Sequence, residues 1–309
     1  MKNNHLALDK LNPNFISGFI DGEGCFSLYI SKNDKLKIGW RVKLSFIIEL
    51  HGKDLPLLNQ IHNFFGVGVI CLSKRGNASF QVSSINDLIN VIIPHFDKYP
   101  LITQKQADFL LFKSALILIN KGEHLTNEGL NKIISIKASI NLGFSEMLIT
   151  AFPNILSIPR PLVKLPENLN PNWLAGFASA EGCFYVSISK SKTKVGYAVY
   201  LWFILTQHLR DKALFEVIQK YLDCGNITID NKNSAVRYKV SKFTDNLNVI
   251  IPEGELFFEK SPIYGAKAKD FSDFCKIAYL IKDKAHLTCE GLEKIKNIKA
   301  SMNTGRDIN

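Results

Sequence analysis

Two short segments of the sequence place a glutamate in the same setting. Residues 18–24 read GFIDGEG and residues 176–182 read GFASAEG, and each segment carries its acid, Glu23 or Glu181, next to last. Small residues four positions apart lie on one face of a helix and let two helix backbones approach closely. If both segments are helices that pack on these faces, Glu23 and Glu181 lie side by side at the two C-terminal ends.

Paired carboxylates at two helix ends are unfavourable on their own. Each carboxylate faces the negative end of a helix dipole, and the two charges repel one another. A divalent cation between them removes these costs, and carboxylate and carbonyl oxygens suit Mg²⁺. A metal ion held between two acids is also a common arrangement for hydrolysing a phosphodiester. The alternative is that each glutamate only ends a solvated surface helix, and the recurrence of the whole segment favours the metal site.

The elements that carry these glutamates belong to a tandem repeat. Residues 12–32 match residues 170–190, and residues 124–143 match residues 286–305. Two blocks between them, 87–94 and 100–112, recur in the same order at 245–252 and 262–274. The sequence therefore predicts an N-terminal half over residues 1–151, a proline-rich extended linker over residues 152–169, and a C-terminal half over residues 170–309.

Each half has the pattern of an α+β unit with one exposed sheet face. Asn12 and Pro13 predict the start of a helix that runs to about Glu23, with Gly24 as its C-cap. Alternating apolar residues predict strands over residues 25–31, 40–50, 67–72 and 79–83. Further helices are predicted over residues 54–65, 85–93, 104–119 and 128–141. Phe109, Phe112 and their copies in the second half recur at helical spacing, which favours a core role.

Composition points to a polyanionic partner. The chain has 38 Lys and Arg against 28 Asp and Glu, giving a net charge of +10 and a pI near 9.2. This balance fits DNA, RNA or an anionic membrane face. None of the six cysteines forms a C-x-x-C pair, so a zinc site is not expected, and no apolar run has the length of a membrane span. The N-terminus lacks the pattern of a signal or transit peptide.

The exposed sheet face offers a surface for reading DNA, because a two-stranded ribbon fits the major groove. Its predicted outward positions are polar or aromatic: Tyr29, Ser31, Arg41, Lys43, Ser45, Tyr185, Ser187, Ser189, Gln207 and Arg237. Basic residues follow at the hairpins and strand ends: Lys32, Lys35, Lys37, Lys74, Arg75, Lys190, Lys192, Lys194, Lys239 and Lys242. The alternative is a solvated face whose lysines only provide solubility.

The two glutamate segments resemble a known family signature. Residues 16–24 and 174–182 each align with all nine letters of the LAGLIDADG homing endonuclease motif. Two motifs in one chain resemble the single-chain members encoded in fungal mitochondrial introns, and the repeated block at 124–138 supports this subgroup. The resemblance implies two pseudo-symmetric αββαββα repeats, each with an antiparallel sheet that forms half of a DNA-binding saddle.

The resemblance also implies roles for individual residues. The last acidic letter of the motif binds metal, which corresponds to Glu23 and Glu181, and the preceding carbonyls of Gly22 and Ala180 assist. A glutamine that orders water corresponds to Gln207, whereas the first half has Leu50 there. A catalytic lysine near the third helix aligns with Thr103 and Gly265, so Lys105, two residues beyond Thr103, is the expected helper. Lys267 holds the matching place, and Lys239 and Lys242 are rival helpers.

By this resemblance the chain is a monomeric, mitochondrial, Mg²⁺-dependent endonuclease that makes a staggered double-strand break in DNA. Mn²⁺ or Ca²⁺ is expected to replace Mg²⁺ in binding. A ribbon of about ten residues at about 3.3 Å each covers about 10 bp, so two unlike halves imply an asymmetric site of about 20 bp. Three alternatives remain: an intron RNA maturase on the same fold, a cleavage-dead DNA-binding regulator, and an RNA-binding module. No RRM or KH signature supports the last.

Overall fold

The computed structural model describes residues 11–251 and 257–303, which form two similar halves. The positions predicted at 1–10, 252–256 and 304–309 lie outside the described residues. The first half consists of α1 (Pro13–Glu23), β1 (Gly24–Lys32), β2 (Trp40–His51), α2 (Leu55–Phe65), β3 (Val69–Leu72), β4 (Asn77–Val82), α3 (Ile85–Asp87), α4 (Ile93–Lys98), α5 (Lys105–Asn120), α6 (Asn127–Ser139) and α7 (Glu146–Ala151). A π-helical turn, Leu88–Ile92, joins α3 to α4.

The second half repeats this order. It consists of α8 (Pro171–Glu181), β5 (Gly182–Lys190), β6 (Tyr197–His208), α9 (Lys212–Leu222), β7 (Asn226–Asp230), β8 (Ala235–Val240), α10 (Phe243–Asp245), α11 (Phe257–Lys260), α12 (Ala266–Lys282) and α13 (Cys289–Ala300). Every predicted element of the first half is present, with ends shifted by a few residues. The predicted helix over 85–93 is divided by the π-helical turn.

Each half contains one four-stranded antiparallel sheet. The strand orders are β1-β2-β4-β3 and β5-β6-β8-β7. One face of each sheet is buried: Phe26 pairs with Phe46 across β1 and β2, and Phe184 pairs with Phe203 across β5 and β6. Aromatic rings from the helices pack on these pairs, with Phe109 and Phe112 centred 5.3 and 5.4 Å from Phe26. The repeated phenylalanines therefore form core, as their spacing predicts.

The helices α1 and α8 form the most extensive contact between the halves. A Cβ atom built on Gly18 would lie 1.9 Å from the carbonyl oxygen of Trp173, and one built on Gly176 would lie 2.0 Å from that of Phe15. The two backbones therefore touch directly at the small residues, as the sequence predicts.

The helix α1 ends where the sequence predicts. Gly24 is its C-cap, with a φ of −79° and a ψ of 153°, which is ordinary extended backbone, and its N–H donates to the carbonyl of Ile20. Gly182 behaves the same way at the end of α8, with a φ of −74°. The chain passes straight from helix into strand at both places. The glycine is needed for space, because a Cβ on Gly24 would lie 2.4 Å from the Cγ2 atom of Ile20.

The proline-rich segment lies along the first half. Residues 152–170 contain no helix or strand. Arg160 fixes this segment by donating to Asp108 Oδ1 at 2.8 Å and to the carbonyls of Ser139 and Gln104 at 2.5 and 3.2 Å. Within residues 11–251 and 257–303, every helix is too short or too polar to cross a bilayer.

Candidate active site and DNA-facing surface

Glu23 and Glu181 lie at adjacent helix ends between the two sheets. A Cβ built on Gly22 would lie 2.3 Å from Ala180 Cβ and 3.4 Å from Glu181 Oε1, so the last turns of α1 and α8 are in contact. The Glu23 side chain reaches solvent, and Glu181 is half-buried. Partial burial raises the pKa of both carboxyls, and the charge of Glu23 raises the pKa of Glu181 further. Such a pair favours a bound cation.

Two lysines occupy matching places behind the glutamates. Lys105 Nζ donates to the carbonyls of Ile20 and Gly22, both at 2.8 Å, and Lys267 Nζ donates to the carbonyl of Ala180. Neither α1 nor α8 has a basic residue in its own last turn, so these lysines satisfy the exposed carbonyls and oppose the helix dipoles. Burial lowers the pKa of both lysines, and the nearby carboxylates act in the opposite direction.

The carbonyls of Gly22 and Ala180 thus accept hydrogen bonds from lysines. A carbonyl oxygen has two lone pairs, so each could still face a cation on its other side. Within the described ranges, no three His, Cys, Asp or Glu side chains cluster as a complete metal cage. Mg²⁺ does not require one, because it is usually held by one or two carboxylates together with water and substrate phosphates. The two glutamates therefore have the donor chemistry that Mg²⁺ prefers, without a third acidic side chain.

Gln207 lies beside the second glutamate. Its Nε2 atom is 3.3 Å from Glu181 Oε1, at the end of β6. Gln207 was expected on the outward face, but it pairs with buried Val236 and so shares the inward side. The first half has buried Leu50 in the matching place, so the two glutamates have different neighbours.

The first acidic position of the motif, which is Asp21 in the first half and Ser179 in the second, has a structural role. Asp21 is buried and accepts from Ile102 N at 3.0 Å, Thr103 N at 3.1 Å, Thr103 Oγ1 at 2.5 Å and Trp173 Nε1 at 2.7 Å. Burial raises the pKa of Asp21 to about 6, and the hydrogen bonds act against that rise. Asp21 thereby fixes the segment that leads to Lys105. In the second half, Ser179 accepts from Tyr264 N at 3.1 Å instead.

A cavity of about 320 Å³ opens next to Glu23 on the side of the second half. Its polar lining includes Glu23, Asp54, Ser179, Cys183, Lys267 and Asp270. A cation, a water molecule or a phosphate group in this cavity would therefore have both Glu23 and Lys267 in its lining.

Most of the predicted DNA-contacting residues are exposed on the outer sheet faces and hairpins. The exposed residues are Tyr29, Lys32, Lys35, Lys37, Arg41, Lys43, Lys74, Arg75, Tyr185, Ser189, Lys190, Lys192, Lys194, Arg237 and Lys242. Ser31, Ser187 and Lys239 are half-buried. We refer to Lys190, Lys192 and Lys194 as the second tip.

Ser45 differs from its prediction because it is buried. It lies 2.9 Å from Ser83 Oγ, and Gln81 Nε2 donates to it at 3.1 Å. The amide of Gln81 reaches across from the neighbouring strand and covers the serine. The outer surface at this place is therefore formed by Gln81.

The rival lysines contact groups other than the glutamates. Lys239 Nζ sits 3.4 Å from the centre of the Trp202 ring, which stacks on Tyr185 at 5.4 Å. Lys242 is 3.5 Å from Asp245 at the start of α10. The lysine that matches Lys105 is Lys267. The repeat itself carries that signal, because Lys267 stands at the same place in the duplicated block as Lys105.

Comparison with known proteins gives consistent matches over both halves. The family model described as LAGLIDADG endonuclease matches residues 16–116 and 174–278. Two proteins of Neurospora crassa, "Probable intron-encoded endonuclease 3" and "Probable intron-encoded endonuclease 2", are 42% and 39% identical over 93% and 94% of the chain. The chain spans 53% and 65% of the lengths of these two relatives.

Solved structures match the fold over nearly the whole chain. Meganuclease I-SmaMI bound to uncleaveable DNA superimposes with a TM-score of 0.93 at 45% identity, covering 97% of this chain and 99% of that one. I-SmaMI bound to cleaved DNA gives a TM-score of 0.93 at 45% identity, covering 96% and 99%. The two-sheet architecture expected from the sequence is therefore confirmed.

Proposed function

The chain belongs to the LAGLIDADG endonuclease family, and from this premise we propose that it is a site-specific homing endonuclease. It makes a staggered double-strand break in an asymmetric DNA site of about 20 bp. The observation that carries the proposal is the meeting of Glu23 and Glu181 at the ends of α1 and α8, each end held by a half-buried lysine. Homologous I-SmaMI has been solved with cleaved DNA, which supports the same activity here.

Glu23 and Glu181 would hold Mg²⁺ together with the scissile phosphates. When bound, the ion would stabilise charge on the phosphate and favour deprotonation of water. Lys105 and Lys267 donate to the last carbonyls of the helices that carry the two carboxylates and so fix these helix ends. Gln207 holds Glu181 in place through its amide. Because Leu50 replaces this glutamine in the first half, the two strand cuts are expected to differ in rate.

The outer sheet faces would lie in the major groove, and their hairpin lysines would contact phosphates. Matching positions of the two faces differ: Arg41 and Lys43 of β2 correspond to Ala198 and Tyr200 of β6. Unlike readers imply unlike half-sites, so the target is not a palindrome. One chain supplies both halves, which supports action as a monomer on double-stranded DNA.

A mitochondrial location is supported by the relatives. The Neurospora crassa proteins are described as intron-encoded, and a Saccharomyces cerevisiae relative at 26% identity is described as a mitochondrial protein. The retention of both glutamates beside two lysines argues for cleavage rather than for a binding-only regulator.

A cleavage selection tests this proposal. The purified chain is incubated with Mg²⁺ and a library of duplexes made from intronless fungal mitochondrial genes, and the cut ends are sequenced. We expect breaks at one discrete asymmetric site, none with EDTA, and none with a Glu23→Gln, Glu181→Gln double variant. Cutting at many unrelated places, or cutting that persists in the double variant, would contradict the proposal.

A further inference from the structure

Two aspartates accept hydrogen bonds from backbone N–H groups of the opposite half of the protein. The N–H of Gln104 in the first half donates to Asp211 Oδ1 of the second half at 2.6 Å. The N–H of Ala266 in the second half donates to Asp54 Oδ1 of the first half, also at 2.6 Å. The aspartates hold matching places, at the ends of the repeated sequences His51-Gly52-Lys53-Asp54 and His208-Leu209-Arg210-Asp211.

Both contacts fall at the starts of the helices that carry the active-site lysines. Gln104 immediately precedes Lys105, the first residue of α5, and Ala266 immediately precedes Lys267 in α12. The first N–H groups of a helix have no partner inside it, and a carboxylate there is favoured by the helix dipole. In this part of the described chain, neither α5 nor α12 receives a side-chain cap from its own N-cap residue.

The packing around these aspartates leaves little freedom. Asp211 is only 5% exposed. On the other side, a Cβ built on Gly265 would lie 2.6 Å from Asp54 Oδ1, so the glycine makes room for the carboxylate. Asp54 also lines the cavity that contains Glu23 and Lys267. A small displacement of either aspartate would therefore move the start of a helix whose lysine contacts a glutamate-bearing helix end.

We propose that Asp54 and Asp211 are positioning residues, each holding the active-site lysine of the opposite half. Since Lys105 binds the end of α1 and Lys267 binds the end of α8, each aspartate acts on one of the two glutamates. This arrangement makes the geometry of each cutting centre depend on correct docking of both halves. The effect on cutting rests on the proposed function, whereas the effect on the helix starts does not.

Hydrogen–deuterium exchange tests the contacts without DNA. In Asp211→Ala, we expect exchange to speed up at least about tenfold in peptides covering residues 101–110, with residues 263–272 unchanged. Asp54→Ala should give the reverse pattern. Asn keeps an acceptor oxygen, so Asp211→Asn and Asp54→Asn should restore slow exchange. Faster exchange only within the half that carries the substitution, or no change at all, would overturn the proposal.

Strand-resolved cleavage tests the consequence for the site. On a target duplex labelled on both strands, the two alanine variants should slow opposite strands about 10- to 100-fold, because a displacement of about 1 Å at a reacting group can lose about 100-fold in rate. DNA affinity should stay within about twofold, and the Asn variants should recover most of the rate.

Two capping threonines provide matched controls. Thr126 and Thr288 accept from Gly129 N and Gly291 N, both at 3.1 Å, at the starts of α6 and α13. Thr126→Ala and Thr288→Ala remove a cap far from the lysines and should show no strand bias. Equal slowing of both strands by the aspartate variants would overturn the positioning role. If the unmodified chain cuts no duplex, the proposed function fails, while the exchange result still decides the crossed contacts.

Discussion

Adding one methyl group at the contact between the halves should damage both stability and cleavage. In Gly18→Ala, the new Cβ would lie 1.9 Å from the Trp173 carbonyl oxygen and 2.9 Å from Phe177 N, where ordinary contact begins at 3.4 Å. Both atoms belong to the backbone of α8, so no side-chain rotation relieves the overlap. The two helices must separate locally by about 1.5 Å, the shortfall at the Trp173 oxygen. Overpacking of this kind costs about 1–3 kcal/mol, and backbone atoms favour the upper end.

A loss of about 2–3 kcal/mol should lower the Tm by about 4–10 °C in a protein of this size. Cleavage should fall further than stability, by about 100-fold at a temperature where the variant is folded, because separation of α1 and α8 displaces Glu23 relative to Glu181. Calorimetry and single-turnover cleavage measure the two effects. Asn14→Ala, in the same helix, is the control that removes atoms and adds none. A Gly18→Ala protein with the unmodified Tm and rate would refute the close-contact explanation.

Three further predictions concern the lysines, pH and salt. Lys105→Met and Lys267→Met should each slow single-turnover cleavage about 100-fold with little change in DNA affinity. Lys239→Met should leave the rate within about threefold. An equal loss of rate in all three variants would contradict a specific role of Lys105 and Lys267 in cleavage. Burial lowers the pKa of His95 from 6.5 to about 4, so the unfolded chain binds a proton at a higher pH than the folded chain. The free energy of unfolding is therefore highest above pH 6.5 and decreases as the pH falls toward 4. The loss is about 3 kcal/mol, and urea unfolding at pH 7 and 4 should show a smaller pH dependence in His95→Phe than in the unmodified chain. Alanine at all three lysines of the second tip should reduce the slope of log affinity against log salt by up to about 3, and an unchanged slope would remove these lysines from the phosphate contacts.

The repeat explains why so much of the site could be inferred from the sequence. The small residues around Gly18 and Gly176 predict a close helix contact, and the contact places Glu23 beside Glu181 whatever the details of the sheets. Alternation along the strands similarly predicts which residues face the core, since strand side chains have a fixed period. These inferences depend on local periodicity, which a single sequence contains.

The errors concern contacts between segments that are distant in the chain. Ser45 has the pattern of an outward residue, but its burial depends on Gln81 from a neighbouring strand. The crossed aspartates join residues more than a hundred positions apart in sequence, and no local pattern records such a pair.

The central claim is that one glutamate from each half is required for the same double-strand break. Its most direct test is single-turnover cleavage of the selected duplex in Mg²⁺ by Glu23→Gln and by Glu181→Gln, with affinity measured in parallel. The shared site predicts that neither variant makes a double-strand break, although both bind the duplex with nearly unmodified affinity. A complete double-strand break by either single variant would contradict the claim.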